Sequence, residues 1–568
     1  MTLHQFDYIF AIGTIFAFLD AWNIGANDVA NSYATSVSSR SLTMKQAMLL
    51  ASCTEFVGAM AVGARVSDTI RTKIIDPSLF DDDPAVLMLG MTCAVVASSI
   101  YLTVATRLGM PVSTTHSIMG GVIGMGVAAV GAENVSWGWD GVSQVFAAWA
   151  IAPCIAGAFG AIIFSLTKYG VMERKNPVRQ AFYMIPGYFF LAAGLLAMLI
   201  VWKGASKKID LTNAGIAGVV IGVAAATALL SVVFLLPYLY RKVLHDDWEL
   251  KPYHIFLGPL LLRRPAPPSK PEGFVSIQDY YRGHLTKEEL DMKRAEESPS
   301  NDPEKTGTTE TITTKGAESD SDIITTQHRA QAPNVETSGK GKDCPEGKWY
   351  EPPVFFYLAR KAIFRGVEKD IVGMQKKRDL LSGDIEGIHA KSKHYDNNAE
   401  YMYSFLQVLT AATASFTHGA NDIANAIGPY ATIFLIWHKG TQESKTPVPD
   451  WILAFGGIGI IVGLWTYGYN IMRNLGNRLT LMSPSRGFAM EMGSAITVIM
   501  ATRLKLPIST TQCITGGIVG VGLCTGSWRS INWRMVAWIY FGWIITLPVA
   551  GIISGCLMGI VLNAPRWS

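Results

Sequence analysis

Gly25-Ala-Asn-Asp-Val-Ala-Asn-Ser32 lies in strongly apolar surroundings and returns as Gly419-Ala-Asn-Asp-Ile-Ala-Asn-Ala426. Lipid makes a carboxylate expensive. An ionisable side chain inside a membrane span costs about 3 kcal/mol or more, so it marks a functional site by default. Asp28 and Asp422, in matching octapeptides, are two such acids.

The surroundings decide the fold class. Of 568 residues 49% are hydrophobic, 54 are glycine, and mean hydropathy is +0.26. Apolar segments lie near 8–24, 44–64, 86–106, 112–130, 142–166, 183–202 and 214–240, and again near 402–418, 423–437, 451–470, 488–503, 508–524 and 533–562. Runs of about 20 apolar residues predict an all-α polytopic membrane protein with about twelve crossings, some of them half-helices. The net charge of +4 is small, and no nucleic-acid partner is read from it. Seven scattered cysteines without a CxxC pair read as free thiols.

Loop charge sets the orientation. Nothing basic precedes Arg40, whereas the polar stretch 241–400 opens with Arg241, Lys242 and Lys251 and closes with Lys376, Lys377 and Arg378. The stretch is therefore placed in the cytoplasm and the N-terminus outside, with Lys203, Lys207 and Lys208 as exceptions. The lone sequon, Asn134-Val-Ser136, falls on the outside. The chain divides into a first membrane module (1–240), a cytoplasmic loop (241–400) and a second module (401–568). Residues near 295–345 have a disordered composition suited to regulatory modification. Residues 353–380 read as a basic amphipathic helix, either on the inner membrane face or packed on the protein.

A second motif is duplicated as well. Ala105-Thr-Arg-Leu-Gly-Met-Pro-Val-Ser-Thr-Thr115 returns as Ala501-Thr-Arg-Leu-Lys-Leu-Pro-Ile-Ser-Thr-Thr511, with 12 identities in 20 positions through Gly124 and Gly520. Gly25 to Pro111 is 86 residues and Gly419 to Pro507 is 88. One module starts outside and the other in the cytoplasm, so the halves are inverted. Inverted repeats with broken helices predict a secondary transporter with its site at the midplane.

The residue types name the ligands. Gly and Ala allow close backbone approach and local unwinding, and Asn27, Asp28 and Asn31, with Asn421, Asp422 and Asn425, offer hard oxygen ligands for a small cation. Helix packing through small residues would explain the Gly, Ala and Asn but not two aspartates. Pro at a helix start followed by Ser113, Thr114 and Thr115, or by Ser509, Thr510 and Thr511, presents hydroxyls and free N–H groups to an oxyanion. Ordinary capping accounts for one copy, not for two in opposed repeats. Glu55 and Glu491 are acids in apolar segments that either line the permeation path and couple the ions or make structural hydrogen bonds. Arg107 and Arg503 are repeat mates suited to a role at the helix break. His116, matched by Gln512, reads as a neighbour of the site. No nucleophile–base pair or metal cluster points to an enzyme.

The paired GANDxAN and PxSTT motifs resemble the inorganic phosphate transporter (PiT) family. The N-terminal run and long loop are similar to those of its fungal sodium-coupled symporters. The resemblance covers both membrane modules, and its one small departure is Ser32 where the second copy has Ala426. It implies sodium-coupled import of inorganic phosphate across the plasma membrane, a homodimer in the lipid bilayer, and no cofactor beyond the transported ions. By motif position, phosphate belongs at Ser113, Thr114, Thr115, Ser509, Thr510 and Thr511. Sodium belongs at Asn27, Asp28, Asn31, Asn421, Asp422 and Asn425. A proton-coupled symporter of phosphate or another tetrahedral oxyanion shares the architecture, and a receptor that binds without transport is a third class.

Overall fold

In lipid every backbone N–H and C=O must find its partner within the chain, so long apolar runs become helices. The computed structural model describes residues 4–139, 141–201, 212–297, 345, 347–364, 366–377, 379–440, 448–504 and 506–564, without the side chains of 65–73 and 362–363. The first half contains α1 (Asp7–Ser38), α2 (Met44–Lys73), α3 (Pro84–Leu108), α4 (Thr114–Val130), α5 (Val142–Thr167), α6 (Pro177–Leu199), α7 (Asn213–Leu230) and α8 (Leu236–Leu239). The polar stretch holds α9 (Lys287–Glu297), α10 (Pro352–Ile363), α11 (Ile371–Gln375) and α12 (Ile385–His389). The second half contains α13 (Asn397–Lys439), α14 (Asp450–Tyr467), α15 (Tyr469–Met472), α16 (Pro484–Arg503), α17 (Thr510–Leu523) and α18 (Trp533–Asn563). Among the described residues there is no strand beyond one isolated bridge, Ile75 to Val135.

Among the described residues eight helices are long and apolar enough to cross a membrane. The expected count of about twelve is reached only with α4, α13, α16 and α17, which are too short or too polar for that criterion and which carry the motifs.

The packing exchanges the two halves. α2 packs along α13 while its repeat mate α14 packs along α1; α4 packs along α18 while α17 packs along α5. Such reciprocity is what a two-fold relation between the repeats requires. Glycines make the approach possible. A Cβ on Gly25 would stand 2.0 Å from the Ile460 carbonyl oxygen, and one on its mate Gly419 would stand 2.2 Å from that of Glu55. Gly124 and Gly520 meet Gly551 and Gly157 in the same way.

The helix breaks fall between α3 and α4 and between α16 and α17. Gly109, at φ +71°, ends α3, and the Asn474 amide donates to its carbonyl at 2.5 Å. The Asn-Asp octapeptides lie within the unbroken helices α1 and α13, so the expected unwinding there does not occur. Their glycines serve close packing instead.

Residues 1–290 and 362–568 form one compact unit, and residues 291–361 another. Both flanks of the polar stretch thus pack with the helices. Tyr281 donates to buried Glu400 at 2.7 Å, and buried Arg486 donates to the Lys393 carbonyl at 2.6 Å. In place of one helix over 353–380 there are two. α10 ends at Ile363, and α11 restarts where the Asp370 side chain accepts from the Gly373 N–H. The described part of the second unit holds most of α10, with Phe355 and Phe356 exposed. Residues 298–344, where disorder was expected, and Lys203, Lys207 and Lys208 lie outside the described residues.

Where the flanks dock, His284 Nδ1 lies 2.9 Å from His389 Nδ1, and His389 Nε2 lies 2.7 Å from the Asn477 carbonyl oxygen. Burial pushes His389 from its ordinary 6.5 down to about 4, and burial with the neighbouring His389 pushes His284 to about 2. The unfolded flank therefore binds more protons than the docked one, and docking weakens as pH falls below about 6.5. Protection of the amides over 281–284 and 385–392, taken relative to their intrinsic exchange rates at each pH, should be lower at pH 5 than at pH 7.5; equal protection would show that these histidines do not hold the flank. The packing supplies a second expectation. Gly25→Ala overpacks the α1–α14 contact and should cost about 1–3 kcal/mol, read as a lower melting temperature in detergent. Gly559→Ala, with nothing within 4 Å, should not lower it.

Candidate functional site

α1 and α13 bring Asp28 and Asp422 together, each 1% exposed. Thr114, in the first turn of α4, donates to Asp28 Oδ2 at 2.8 Å; Thr510, in the first turn of α17, donates to Asp422 Oδ2 at 2.8 Å. The asparagines cross between repeats. Asn31 Nδ2 reaches Thr510 Oγ1 at 3.3 Å and Thr511 Oγ1 at 2.9 Å. Asn425 Nδ2 reaches Thr114 and Thr115 Oγ1, each at 3.1 Å. Repeat mates thus make matching bonds across the centre, and the broken-helix starts face the aspartate-bearing helices from both halves.

The correspondence is incomplete: Asn31 and Thr511 also donate to Asp28 Oδ1, at 3.1 and 3.2 Å, without a counterpart at Asp422, and three further places differ. Ser113 is a plain N-cap, its hydroxyl accepting from the His116 N–H at 3.1 Å, whereas Ser509 makes no such cap. Asn27 clamps the first break by donating to Thr106 and to the Met110 carbonyl and accepting from the Val112 N–H. Its mate Asn421 donates only to Asp422 Oδ1, at 2.8 Å. The third difference is His418, which stands where the first repeat has Ile24.

His418 Nε2 lies 3.2 Å from Asp422 and 3.6 Å from Asp28, and its Nδ1 lies 3.1 Å from Glu55. Neither ring nitrogen is aligned for a hydrogen bond, so these contacts are electrostatic. Asp28, His418 and Asp422 each present a ligand atom within 4.8 Å of the others. Sequence reading missed His418. Its signal was its place, directly before the motif and one turn from Asp422 on α13. The Asn31 and Asn425 carbonyl oxygens are buried without partners. Orphaned oxygens beside carboxylates are a donor set for a hard cation.

The remaining expected residues divide. Glu55 joins the central cluster through His418. Glu491 does not. It sits in a cage of its own, accepting from Thr35 at 2.6 Å, Ser36 at 2.7 Å, Thr410 at 2.5 Å and Gln407 at 3.2 Å. Arg107 and Arg503 occupy the last turns of α3 and α16, where a cation suits the helix dipole, and both are exposed. They are not brought to the cluster. His116 is buried and accepts from Trp149 Nε1 at 3.2 Å, outside the ring of acids.

Comparison with known proteins completes the reading. The profile of the phosphate transporter family PHO4 matches residues 24–554. The chain is 60% identical to the phosphate-repressible phosphate permease pho-4 of Neurospora crassa, across all of this chain and 99% of that one. This chain belongs to the phosphate transporter family. It is also 27% identical to sodium-dependent phosphate transporter 1 of Mus musculus, covering 97% of this chain and 95% of the mouse protein. A solved structure described as the sodium-dependent phosphate transporter matches at a TM-score of 0.63 and 25% identity, over 98% of this chain and all of that one. The protein is a multi-pass membrane transporter of phosphate, not an enzyme, and the family works without a cofactor.

In this transporter the crossed asparagines should act as equals. Their orphaned carbonyl oxygens are cation ligands in kind, so Asn31→Ala and Asn425→Ala should each raise the half-saturating concentration of the cation that drives uptake by about tenfold, roughly 1.4 kcal/mol. Asn27→Ala should lower the melting temperature, and Asn421→Ala should not. Uptake titrations and thermal melts read both pairs.

Proposed function

We infer that this transporter imports inorganic phosphate by sodium symport, alternating access about the Asp28–Asp422 cluster. The matched bonding of the two motif copies carries the reading. It sets hydroxyls and helix starts, which suit an oxyanion, directly against carboxylates and orphaned amide oxygens, which suit sodium. Phosphate would be held by Thr114, Thr115, Thr510 and Thr511, with Ser113 and Ser509 at the helix starts. Sodium would be held by Asp28, Asp422, Asn31 and Asn425, with Asn27 and Asn421 flanking. Glu55 would act in coupling through His418, and Glu491 in a separate inner cage. Arg107 and Arg503 would stabilise the ends of the broken helices.

Charge supports cations. Asp28, Asp422 and Glu55 surround a single imidazole, so negative charge remains even with His418 protonated. The membrane potential adds roughly 2.3 kcal/mol per net charge at 100 mV. The enclosed cavity lined by Asn31, His418 and Thr510 measures about 10 Å³, room for a single water. Phosphate must therefore exchange amide–hydroxyl bonds for its own, which ties binding to rearrangement. The C-terminal end of α1 bonds the polar stretch through Ser38–Gln375 at 3.0 Å and Arg40–Arg282 at 2.9 Å. With the 241–400 loop in the cytoplasm, the N-terminus and the exposed Asn134 lie outside, the 1–240 and 401–568 modules are inverted, and the protein works in the plasma membrane as a homodimer.

Proton coupling is the second reading, and His418 among three carboxylates is the observation that favours it. Radiolabelled phosphate uptake into proteoliposomes separates the two. Inward sodium should drive uptake, and replacement by choline should abolish it. Asp28→Asn should remove the sodium dependence. Full uptake in choline with a proton gradient would hand the cluster to protons, and sodium-dependent uptake by Asp28→Asn at the original rate would end the ion-site assignment.

A further inference from the structure

One buried acid has no place in the account above. Asp20 lies on α1 two turns before Asp28, and it is wholly buried. Its Oδ2 has no partner, and its Oδ1 lies 3.4 Å from Ser99 Oγ. That hydroxyl is shared with the Phe16 carbonyl at 2.8 Å, so Asp20 accepts from it only a long, divided hydrogen bond. The adjacent Ser98 hydroxyl is buried and unpartnered too. Among the described residues no basic nitrogen pairs with Asp20.

The other buried acids differ. Glu491 receives four donors, and Asp28 and Asp422 receive hydroxyls, amides and an imidazole. A carboxylate in a membrane interior without donors or a counter-charge is not sustainable. Asp20 has only serine hydroxyls beside it, no counter-charge and an unpartnered Oδ2, and a cation is what such a cluster lacks.

The position extends to the central site. Asn23 donates to the Ser99 carbonyl at 3.2 Å and to Thr103 at 3.0 Å; one turn on, Asn27 donates to Thr106 at 3.0 Å. Asp20, Asn23, Asn27 and Asp28 on α1, facing Ser99, Thr103 and Thr106 on α3, form a polar strip between the two helices. The second repeat lacks its outer part, with Ala414 for Asp20, Ala495 for Ser99 and Ile499 for Thr103. The strip belongs to one half, so it leads from the centre toward one face only.

We propose that Asp20, with Ser98 and Ser99, is a binding site for a monovalent coupling cation, connected to the central cluster by the Asn23–Asn27 strip. The site rests on the symport reading and deepens it. With the N-terminus outside, it lies on the extracellular side of Asp28 and receives the cation first. Sodium and a proton share the required chemistry, one positive charge for one carboxylate, and the test tells them apart.

The measurement is equilibrium binding of radiolabelled sodium to the purified full-length protein, together with phosphate uptake in proteoliposomes at graded sodium and pH. Asp20→Asn should raise the half-saturating sodium concentration about tenfold or more in both assays, a change of about 1.4 kcal/mol. The half-saturating phosphate concentration at saturating sodium should change less than about twofold on that same scale. Asp20→Glu should restore part of the sodium response. If sodium binding is untouched but the pH dependence of uptake disappears, the cation at Asp20 is a proton and the site stands. If neither sodium nor pH dependence changes, the proposal is wrong. Should Asp20→Asn misfold, the Ser98→Ala/Ser99→Ala pair carries the test with a smaller rise expected, and an unchanged titration overturns the site. The symport reading fails separately, through wild-type uptake indifferent to both cations or an Asp28→Asn protein with its cation dependence intact.

Discussion

Two carboxylates held beside one another away from water are the constraint from which the rest of the structure follows. Asp28 and Asp422 share His418, at 3.6 and 3.2 Å from Nε2, and each takes a threonine hydroxyl from a broken-helix start. Leaving either charge without partners would cost several kcal/mol. Bringing the partners in requires α1, α13, α4 and α17 to converge on one small volume. Helices with ordinary side chains at their contacts stay about 8–10 Å apart. The glycines at 25, 419, 124 and 520 remove the obstructing Cβ atoms, so the polar centre dictates small residues at some distance from itself.

The halves are alike at the centre and unlike around it. Thr114 and Thr510, Asn31 and Asn425, Gly25 and Gly419 occupy equivalent roles. His418 against Ile24, Asn27 against Asn421, Asp20 against Ala414 and Glu491 against Val95 do not. A perfectly symmetric pair of inverted repeats would present the same surroundings to both membrane faces. In the inverted-repeat reading the unmatched residues therefore carry whatever distinguishes one side from the other. On α1 they lie in order, with Asp20 before the centre and Thr35 and Ser36, the Glu491 donors, about as far beyond it.

Duplication made the centre legible in the sequence. Each motif residue has a counterpart that rules out accident, and the four threonines and the two aspartates with their asparagines at 31 and 425 meet as the motif spacing implies. What duplication could not reveal is what is not duplicated. His418 differs from its mate and so drew no attention, although it touches more acids than any other residue at the site. Glu55 and Glu491 were visible as costly acids, but only the fold separates them, because their partners lie hundreds of positions away. Helix unwinding at the octapeptides was a wrong inference from glycine. The same residue serves flexibility and close approach, and only a neighbour such as the Ile460 carbonyl decides which. The flanks of the polar stretch read as loop in the sequence because their anchors, Glu400 on α13 and Arg486 on α16, look like isolated charges there.

The hydroxyls at the centre also show how two unlike ions could assist one another. Thr114 donates its proton to Asp28 and accepts from Asn425; Thr510 donates to Asp422 and accepts from Asn31. Each hydroxyl has one proton. An oxyanion that draws it away leaves a carboxylate oxygen without its donor, and a buried carboxylate so exposed gains most from a nearby cation. A cation on the carboxylate, in turn, releases the hydroxyl for the anion. The two affinities then rise together, by equal factors, as linkage demands of any two sites coupled through a shared group. In the symport reading, two threonine protons held between acids and amides are sufficient to make phosphate and its coupling ion bind as a set.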